Sequence, residues 1–487
     1  MLEQLDHLLS HFALYLGVAV EVLALALVPL VLLRRKEPSS TFAWILTLVF
    51  LPGLGAALFL LHGRDRVRWP ARRKRAADEV LTSRLDHARR ETRVDPSGAV
   101  GELDEAERCI FRVCEGLGPL VEVSHGNRVE LYENGGVAQN AINAAIEGAQ
   151  ESAFAEYYLI RDDDTGARFR ERMTQAAARG VDVRLLIDAY GCFWLRKRWF
   201  LPLRRAKAKV AQFLPLKMAL TLPMNLRTHR KIVVVDGRVA FTGGLNVGDE
   251  YVRETGGKPA WRDTHVRIEG PAVASLSSVF LRDWHFMTGS EELPERFFPD
   301  TGQPGDAVVA VVPSGPDEGR EAIHRVFFSA IVGARRRVWI TTPYFVPDRA
   351  LLVALETAAR RGVEVKLLLP GHSNHRVTQQ AGRSYFTELL ESGVQVFEYL
   401  PGMIHSKTML VDDEISLVGS ANMDVRSFRL NFEVHTLVHD RSLAQELEAA
   451  FLRDCEASRA IELDRWRHRP WLERVGEGAA RLVSPIL

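Results

Sequence analysis

The chain has 487 residues, a formal net charge of +1 and four cysteines. That length exceeds what one hydrophobic core fills, since single cores stop growing near roughly 250 to 300 residues, so two globular halves plus extra segments are expected. Near-neutral charge excludes a uniformly basic nucleic-acid binder and an acidic tail protein, and any charge effect must come from local clusters. Cys109, Cys114, Cys192 and Cys455 show no C-x-x-C or ligand-like spacing, which argues against a disulfide framework and a zinc site and fits a reducing compartment.

In chain order, Phe12–Leu33 is apolar except for Glu21, and Thr41–Leu61 carries no charge. At about 1.5 Å per residue each can cross a hydrocarbon core of roughly 30 Å, so residues 1–63 are expected to form a transmembrane helical hairpin. A cleaved signal peptide fits poorly, because Glu3 and Asp6 stand where positive charge belongs and the apolar stretch is too long. Glu21 either faces the second helix or weakens insertion of the first. The connecting loop holds Arg34, Arg35 and Lys36, whereas the exit holds Arg64, Arg66, Arg68, Arg72, Arg73, Lys74 and Arg75. The larger cluster stays inside, which predicts a multi-pass protein of the inner membrane with both termini and all its soluble mass in the cytoplasm.

Residues 64–120 read as a charged helical connector. The first half, 121–290, runs helix to strand in "AINAAIEGAQESAFAEYYLI" and again in "FRERMTQAAARGVDVRLLID", where Gly180 ends the helix. A Pro/Gly-rich and acidic stretch, 291–306, reads as a linker. The second half, 307–487, repeats the first: "IHRVFFSAIVGARRRVWITTPYFV" is followed by "ALLVALETAARRGVEVKLLLP", with Gly362 in the place of Gly180. This is internal duplication with too long a period for a solenoid. Helices alternating with apolar strands predict an α/β fold, two sandwich halves whose sheets are covered on both faces and which meet on a pseudo-twofold axis. "SLAQELEAAFLRDCEASRAIELDRW" reads as a closing amphipathic helix.

The duplication carries its chemistry in "HRKIVVVDGRVAFTGGLN", from His229, and "HSKTMLVDDEISLVGSAN", from His405. Both obey H-x-K-x4-D-x6-G-[GS]-x-N, a far stronger signal than a lone glycine fingerprint. His229 with Lys231 and His405 with Lys407 lie two apart on strands and so share a face. Two ammoniums plus the amides of Asn246 and Asn422 make a cage for one tetrahedral anion, and a phosphate diester suits it. One neutral imidazole can attack phosphorus while its partner protonates the leaving alkoxide. No metal ligand and no cofactor is needed. A carboxylate is expected to orient each histidine through its other ring nitrogen. "WRDTHVRI" and "NFEVHTLV" supply Asp263 and Glu433 downstream of the motifs, at spacings that differ by six residues, which the insert "RETGGKP" can absorb. His265 and His435, and equally His125 and His324, read as strand or core residues. Asp236 and Asp412 sit before turns, where capping or bridging is as reasonable as a direct catalytic role.

Both stretches resemble the paired HKD motifs of the phospholipase D superfamily, and "WRDTHVRIEGPAV", "TTPYFVPD" and "IHSKTMLVDDEISLVGSANMDVRSFRLNFEV" are similar to its bacterial cardiolipin synthase branch, over roughly residues 120 to 455. The resemblance implies two phospholipase D-like halves and a phosphatidyltransferase that joins two phosphatidylglycerols through a phosphatidyl-histidine, releasing glycerol. It also implies His229 as nucleophile and His405 as acid/base, with Lys231, Lys407, Asn246 and Asn422 on the phosphate and Asp236 and Asp412 completing the motifs. Gly244 stands where the second copy has Ser420, so a hydroxyl to assist the phosphate comes from one half only.

Before the first motif, Cys192–Met218 holds eight Lys or Arg, no acid, and Phe193, Trp194, Trp199 and Phe200. That composition suits an interfacial segment on anionic lipid. It also suits single-stranded nucleic acid or a solvated loop; the apolar N-terminus favours the membrane, with phosphatidylglycerol and anionic lipids as partners and no nucleic acid. The sequence leaves the oligomeric state open. A hydrolytic phospholipase D or phosphodiesterase, and a silent lipid-binding scaffold, are the alternatives; the intact His, Lys and Asn of both halves argue against the scaffold.

Overall fold

A computed structural model describes residues 2–33, 38–60, 82, 103–118, 120–215, 226–317 and 321–482. The basic loop at Arg34–Lys36, the cluster from Arg64 to Arg75, most of the connector, and Lys217 and Met218 lie outside the described residues. The chain divides into an N-terminal helical unit and a larger body.

In the N-terminal unit, the helix Leu2–Leu32 contains Leu14–Leu32, a stretch long and apolar enough to cross a membrane. The second expected span is not one helix. Pro52 lacks an N–H and drives the residue before it out of the α region. Leu51 accordingly sits at φ −132° and ψ 62°, between the helices Pro38–Phe50 and Pro52–Leu58. The bend is sharp: a Cβ on Gly55 would lie 2.4 Å from the Thr47 carbonyl oxygen. Ala24, Leu27, Val31, Leu48, Ala56 and Phe59 form a small core that joins the long helix to both short ones. Glu21 is exposed on the long helix and takes no part in that core.

The larger body is built on one sheet shared by both halves. The first half contributes β1 (Glu122–Tyr132), β2 (Ser152–Tyr157), β3 (Asp182–Asp188), β4 (Lys209–Phe213), β5 (Arg227–Thr228), β6 (Lys231–Val235), β7 (Val239–Gly243) and β8 (His265–Glu269). The second contributes β9 (Ala307–Ser314), β10 (Arg337–Thr341), β12 (Glu364–Pro370), β13 (Gln395–Tyr399), β14 (Thr408–Val411), β15 (Ile415–Gly419), β17 (Asn431–His439) and β18 (Ser458–Ala460), while β11 (Phe345–Val346) and β16 (Met423–Asp424) pair as a separate two-stranded sheet. The strand order is β4-β3-β2-β6-β7-β8-β1 and then β9-β17-β15-β14-β10-β12-β13-β18. Leaving β18 aside, this order reads the same from either end, which is the expected pseudo-twofold. The axis passes between β1 and β9, which pair antiparallel with a bulge between Ser124 and Asn127.

The duplicated helix-to-strand units occupy equivalent places, and Gly180 and Gly362 both take positive φ, 96° and 89°, just after their helices. The first half's core gathers Ile142, Phe169, Leu185, Val233 and Phe241, and the second half's Ile323, Leu355, Leu367 and Leu417. Three assigned segments do more than expected. The end of the connector, Glu105–Gly116, is a helix closed by a capping box at Asp104 and Glu107, and its Ile110, Phe111 and Cys114 are buried in the second half's core. The linker packs through Phe297, whose ring meets Phe154 edge-on at 4.8 Å. The closing helix stops at Glu456, and the chain returns as the edge strand β18 on β13.

The hairpins β6–β7 and β14–β15 fix the motif aspartates. Asp236 and Asp412 take left-handed φ of 55° and 52°, a region Asp tolerates better than most residues. Their carboxylates accept from the backbone N–H groups of Gln150, Glu151 and Ser152, and of Arg335, Arg336 and Arg337, at 2.7–3.2 Å. Each sits at the far end of its strand from the motif lysine, about 16 Å away at roughly 3.3 Å per residue. The structure therefore makes them ties between the hairpin and the start of the neighbouring strand, and the catalytic reading of these two positions is corrected. Asp236→Ala or Asp412→Ala should cost about 1–3 kcal/mol of stability through the lost charge-assisted bonds while turnover per folded molecule stays near wild type. Thermal melts read beside specific activity check this; an inactive but fully stable variant would contradict it.

Candidate active site

His229 and His405 come just before β6 and β14, and the opposite half fixes each of them. The His229 N–H donates to the Phe432 carbonyl at 2.8 Å, and the His405 N–H to the Arg262 carbonyl at 2.6 Å. Phe432 and Arg262 directly precede Glu433 and Asp263, so each histidine arrives beside the other half's carboxylate. Nδ1 of His229 lies 3.0 Å from Glu433, and Nδ1 of His405 lies 2.7 Å from Asp263. Both carboxylates thus meet histidines as the sequence suggested. The six-residue difference in spacing within each half has no bearing, because the partners are exchanged across the dyad.

Lys231 and Lys407 are fully buried and donate to the carbonyl oxygens of their own motif histidines. Nζ of Lys407 also lies 2.9 and 3.1 Å from the two ring nitrogens of His405. Asn246 donates from Nδ2 to the Tyr251 hydroxyl at 2.7 Å. The buried amide oxygens of Asn246 and Asn422 have no hydrogen-bond partner among the described residues. A buried polar atom left in that state is costly unless a ligand or solvent completes it.

The electrostatics follow from burial. It pushes His229 down to about 4 against the pull of Glu433, and His405 down to about 3, with Lys407 adding to the effect. Burial also lowers Lys231 to about 7 and Lys407 to about 8. It would raise the carboxylates, but His229 and Lys231 hold Glu433 down to about 2, and His405 and Lys407 keep Asp263 below its ordinary value. The free site therefore offers two neutral imidazoles and two ammoniums that release protons easily. The donor set, cationic and amide, attracts a phosphate-like anion and repels a metal ion.

One position differs from expectation. The hydroxyl of Ser420, assigned to the phosphate, donates to Glu433 at 2.5 Å and is buried; it positions the carboxylate that positions His229. Its counterpart is glycine for a steric reason: a Cβ on Gly244 would stand 2.0 Å from Oδ1 of Asp263. The shorter carboxylate sits closer to the backbone, and its oxygen accepts the Thr264 N–H at 2.8 Å instead. His265 and His435 are buried strand residues under Gly243 and Gly419, where a Cβ would meet their rings at 2.6 and 2.5 Å. His324 pairs with Asp348 at 3.0 Å, and His125 is half-buried on β1.

A family model described as "Cardiolipin synthase, PLD-like domain" matches residues 142–284 and 327–455, and one described as "Phospholipase_D-nuclease N-terminal" matches 22–64. A cardiolipin synthase of Halalkalibacterium halodurans is 36% identical over 463 residues, covering 94% of this chain and 91% of the relative. One from Geobacillus kaustophilus is 37% identical over 489 residues, covering 99% and 94%. The chain belongs to the cardiolipin synthase family of the phospholipase D superfamily. Among solved structures, phosphatidylserine synthase of Haemophilus influenzae superposes with a TM-score of 0.60 at 15% identity, covering 79% of this chain and all of that one, a likeness of fold.

Three residues around the cardiolipin synthase histidines escaped the sequence reading. Tyr158 meets the His229 ring at 5.0 Å, and Tyr251 and Trp261 meet His405 at 5.6 and 5.4 Å. Trp261 was open to detection, since it stands two residues before Asp263 and so shares its face; nothing in the local pattern marks Tyr158 or Tyr251. Of the interfacial aromatics, Phe193 and Trp194 are exposed, while Trp199 and Phe200 belong to the core.

The lowered lysine pKa values make anion binding pH-dependent. A bound phosphate raises them, so the complex holds more protons than the free site; affinity is complete below about pH 7 and falls as pH rises through the free and toward the bound values. Calorimetric titration of glycerophosphoglycerol should show affinity dropping by up to about tenfold per pH unit per lysine above neutrality. Constant affinity from about pH 6 to 9 would contradict this assignment.

Proposed function

We propose that this chain catalyses phosphatidyl transfer between two phosphatidylglycerol molecules, giving cardiolipin and glycerol. The observation that carries it is the pair of neutral, carboxylate-held imidazoles sharing one site with two ammoniums and two amides. Binding of the donor's phosphodiester lets His405 take up one proton; Nε2 of His229 then attacks the phosphorus of the donor, the bond from phosphorus to the headgroup glycerol oxygen breaks, and that oxygen takes the proton from His405. The result is a phosphatidyl-histidine. The hydroxyl of a second phosphatidylglycerol then gives its proton to His405 while its oxygen attacks phosphorus and the bond to Nε2 breaks. Lys231 and Lys407 neutralise the phosphoryl oxygens as charge builds, the amide N–H groups of Asn246 and Asn422 donate to them, and Glu433 and Asp263 hold the rings in the productive tautomer. The assignment of His229 as nucleophile rests on similarity.

The helix Leu14–Leu32 and the match to the N-terminal family model support attachment to the membrane. Exposed Phe193 and Trp194 beside Arg196, Lys197 and Arg198 suit contact with an anionic leaflet. The arginine cluster from Arg64 to Arg75 favours a body facing the cytoplasm in the inner membrane, and protease protection in sealed vesicles tests that: cleavage of the body from the outside of right-side-out vesicles would overturn it.

Purified protein given phosphatidylglycerol in bilayers should yield cardiolipin and glycerol by mass spectrometry. Phosphatidic acid alone would mean that water wins the second step and the chain is a hydrolase. His229→Ala and His405→Ala should each lower turnover by at least about 10³-fold with unchanged melting, and Lys231→Ala or Lys407→Ala nearly as much; substantial activity in either histidine variant defeats the two-histidine mechanism. A chelator should leave turnover unchanged, and strong inhibition would speak for a metal in the reaction.

A further inference from the structure

The two halves repeat the reacting groups but not their surroundings. Two residues before the motif histidines stand Arg227 and Met403, and four after the motif asparagines stand Glu250 and Arg426. One flank of the dyad therefore has two guanidiniums, one from each half. The equivalent flank has a thioether and a carboxylate already paired with Arg161 at 3.0 Å.

Arg227, on β5, is 8% exposed. Its Nη1 donates to the neighbouring Leu226 carbonyl at 2.5 Å, its Cζ lies 4.5 Å from the Tyr190 ring centroid, and its buried Nε has no partner among the described residues. Among the described residues it forms no contact ion pair. Asp188 favours its charge from beyond ion-pair contact, its own carboxylate accepting from the N–H groups of Tyr190, Gly191 and Thr228 at 2.8–3.0 Å. Arg426 is on the helix Val425–Arg429, which leads into β17, and the first residue of β17, Asn431, is the Cα partner of Arg227; the positive charge of Arg426 disfavours that of Arg227, and both act on the Tyr158 hydroxyl. Tyr158 in turn packs its ring on His229 at 5.0 Å and under Lys231 at 5.6 Å. A buried guanidinium with an idle donor beside a second cation is costly as it stands and becomes favourable when an anion bridges the two. Arginine's planar fork suits a phosphodiester in that place.

The reacting phosphate already has its own cage in the lysines and asparagines. An acceptor phosphatidylglycerol brings a second phosphate, one glycerol away from its reacting hydroxyl, whereas water and free glycerol bring none. We propose that Arg227 and Arg426 form a second phosphate subsite that holds the acceptor lipid's phosphodiester and so selects phosphatidylglycerol over water and free glycerol in the second step. The subsite rests on the phosphatidyl-transfer reading above. It needs one residue from each half and lies beside the exposed Tyr190, Phe193 and Trp194, where a lipid headgroup would enter.

The test sets two acceptors against each other on the same phosphatidyl-enzyme. Full-length protein in phosphatidylglycerol bilayers is given labelled glycerol, and cardiolipin, labelled phosphatidylglycerol and phosphatidic acid are measured together. In Arg426→Gln, at a half-buried position that spares the core, and in Arg227→Gln, cardiolipin formation should fall about 10- to 100-fold, the scale of a lost charge-assisted bond. Glycerol exchange should stay within about twofold and the share of phosphatidic acid should rise, while Arg426→Lys should recover part of the cardiolipin rate. An equal fall in cardiolipin and glycerol exchange in the well-folded Arg426→Gln protein would make the arginines general supports and overturn the subsite, as would unchanged cardiolipin formation. A wild type that yields only phosphatidic acid would overturn the transfer reading itself, and the subsite with it.

Discussion

The site depends on an exchange. Each half carries a histidine on one strand and a carboxylate on another, and neither carboxylate serves its own half: Glu433 holds His229 and Asp263 holds His405. The exchange is imposed by backbone, through the bonds from the His229 and His405 N–H groups to the carbonyls one residue before the opposite carboxylate. The two histidine–carboxylate pairs therefore exist only when the two halves are joined. A shared sheet joined at β1 and β9, and a preceding helix buried in the second half's core, make that joining part of the fold rather than a docking of two finished domains.

Burial then converts this geometry into reactivity. In water two ammoniums and two imidazoles would be of little consequence to each other; here removal from solvent depresses all four, while the histidines and lysines keep the opposed carboxylates ionised against that same removal. The free site is close to neutral and short of an anion. It is prepared for a phosphodiester, whose charge strengthens each contact in a low-dielectric setting.

Much of this was legible in the sequence, for identifiable reasons. The motif offsets put His, Lys and Asn on shared faces because strand geometry has a fixed period of two, and the doubled helix-to-strand units announced the pseudo-twofold. The exchange of carboxylates was not legible, since both acids lie downstream of their own histidines and spacing cannot reveal which half they face. The roles of Asp236 and Asp412 turned on a left-handed backbone and on three N–H groups some 75 to 86 residues away in sequence. Pro52, by contrast, was open to reading: a proline within an uncharged apolar run is enough to break the second helix.

The departures from symmetry bear on which proposed role each histidine takes. Gly244 with Asp263 and Ser420 with Glu433 are two solutions to one packing problem, and they differ in charge. Asp263 meets His405 at 2.7 Å and otherwise accepts the Thr264 N–H, whereas Glu433 divides itself among His229, the Ser420 hydroxyl and the Asn431 amide. A carboxylate committed to one ring supports an imidazolium better than one shared three ways. In the free site Lys407, beside the ring of His405, cancels that advantage. A bound phosphodiester gives the ammonium an anion to face. Two ammoniums, two carboxylates and one phosphodiester sum to a single negative charge, so the occupied site is neutral when one imidazole holds one proton; on the proposed mechanism the more fully committed carboxylate favours His405 as its holder. On that same proposed mechanism His229 is the neutral imidazole that attacks.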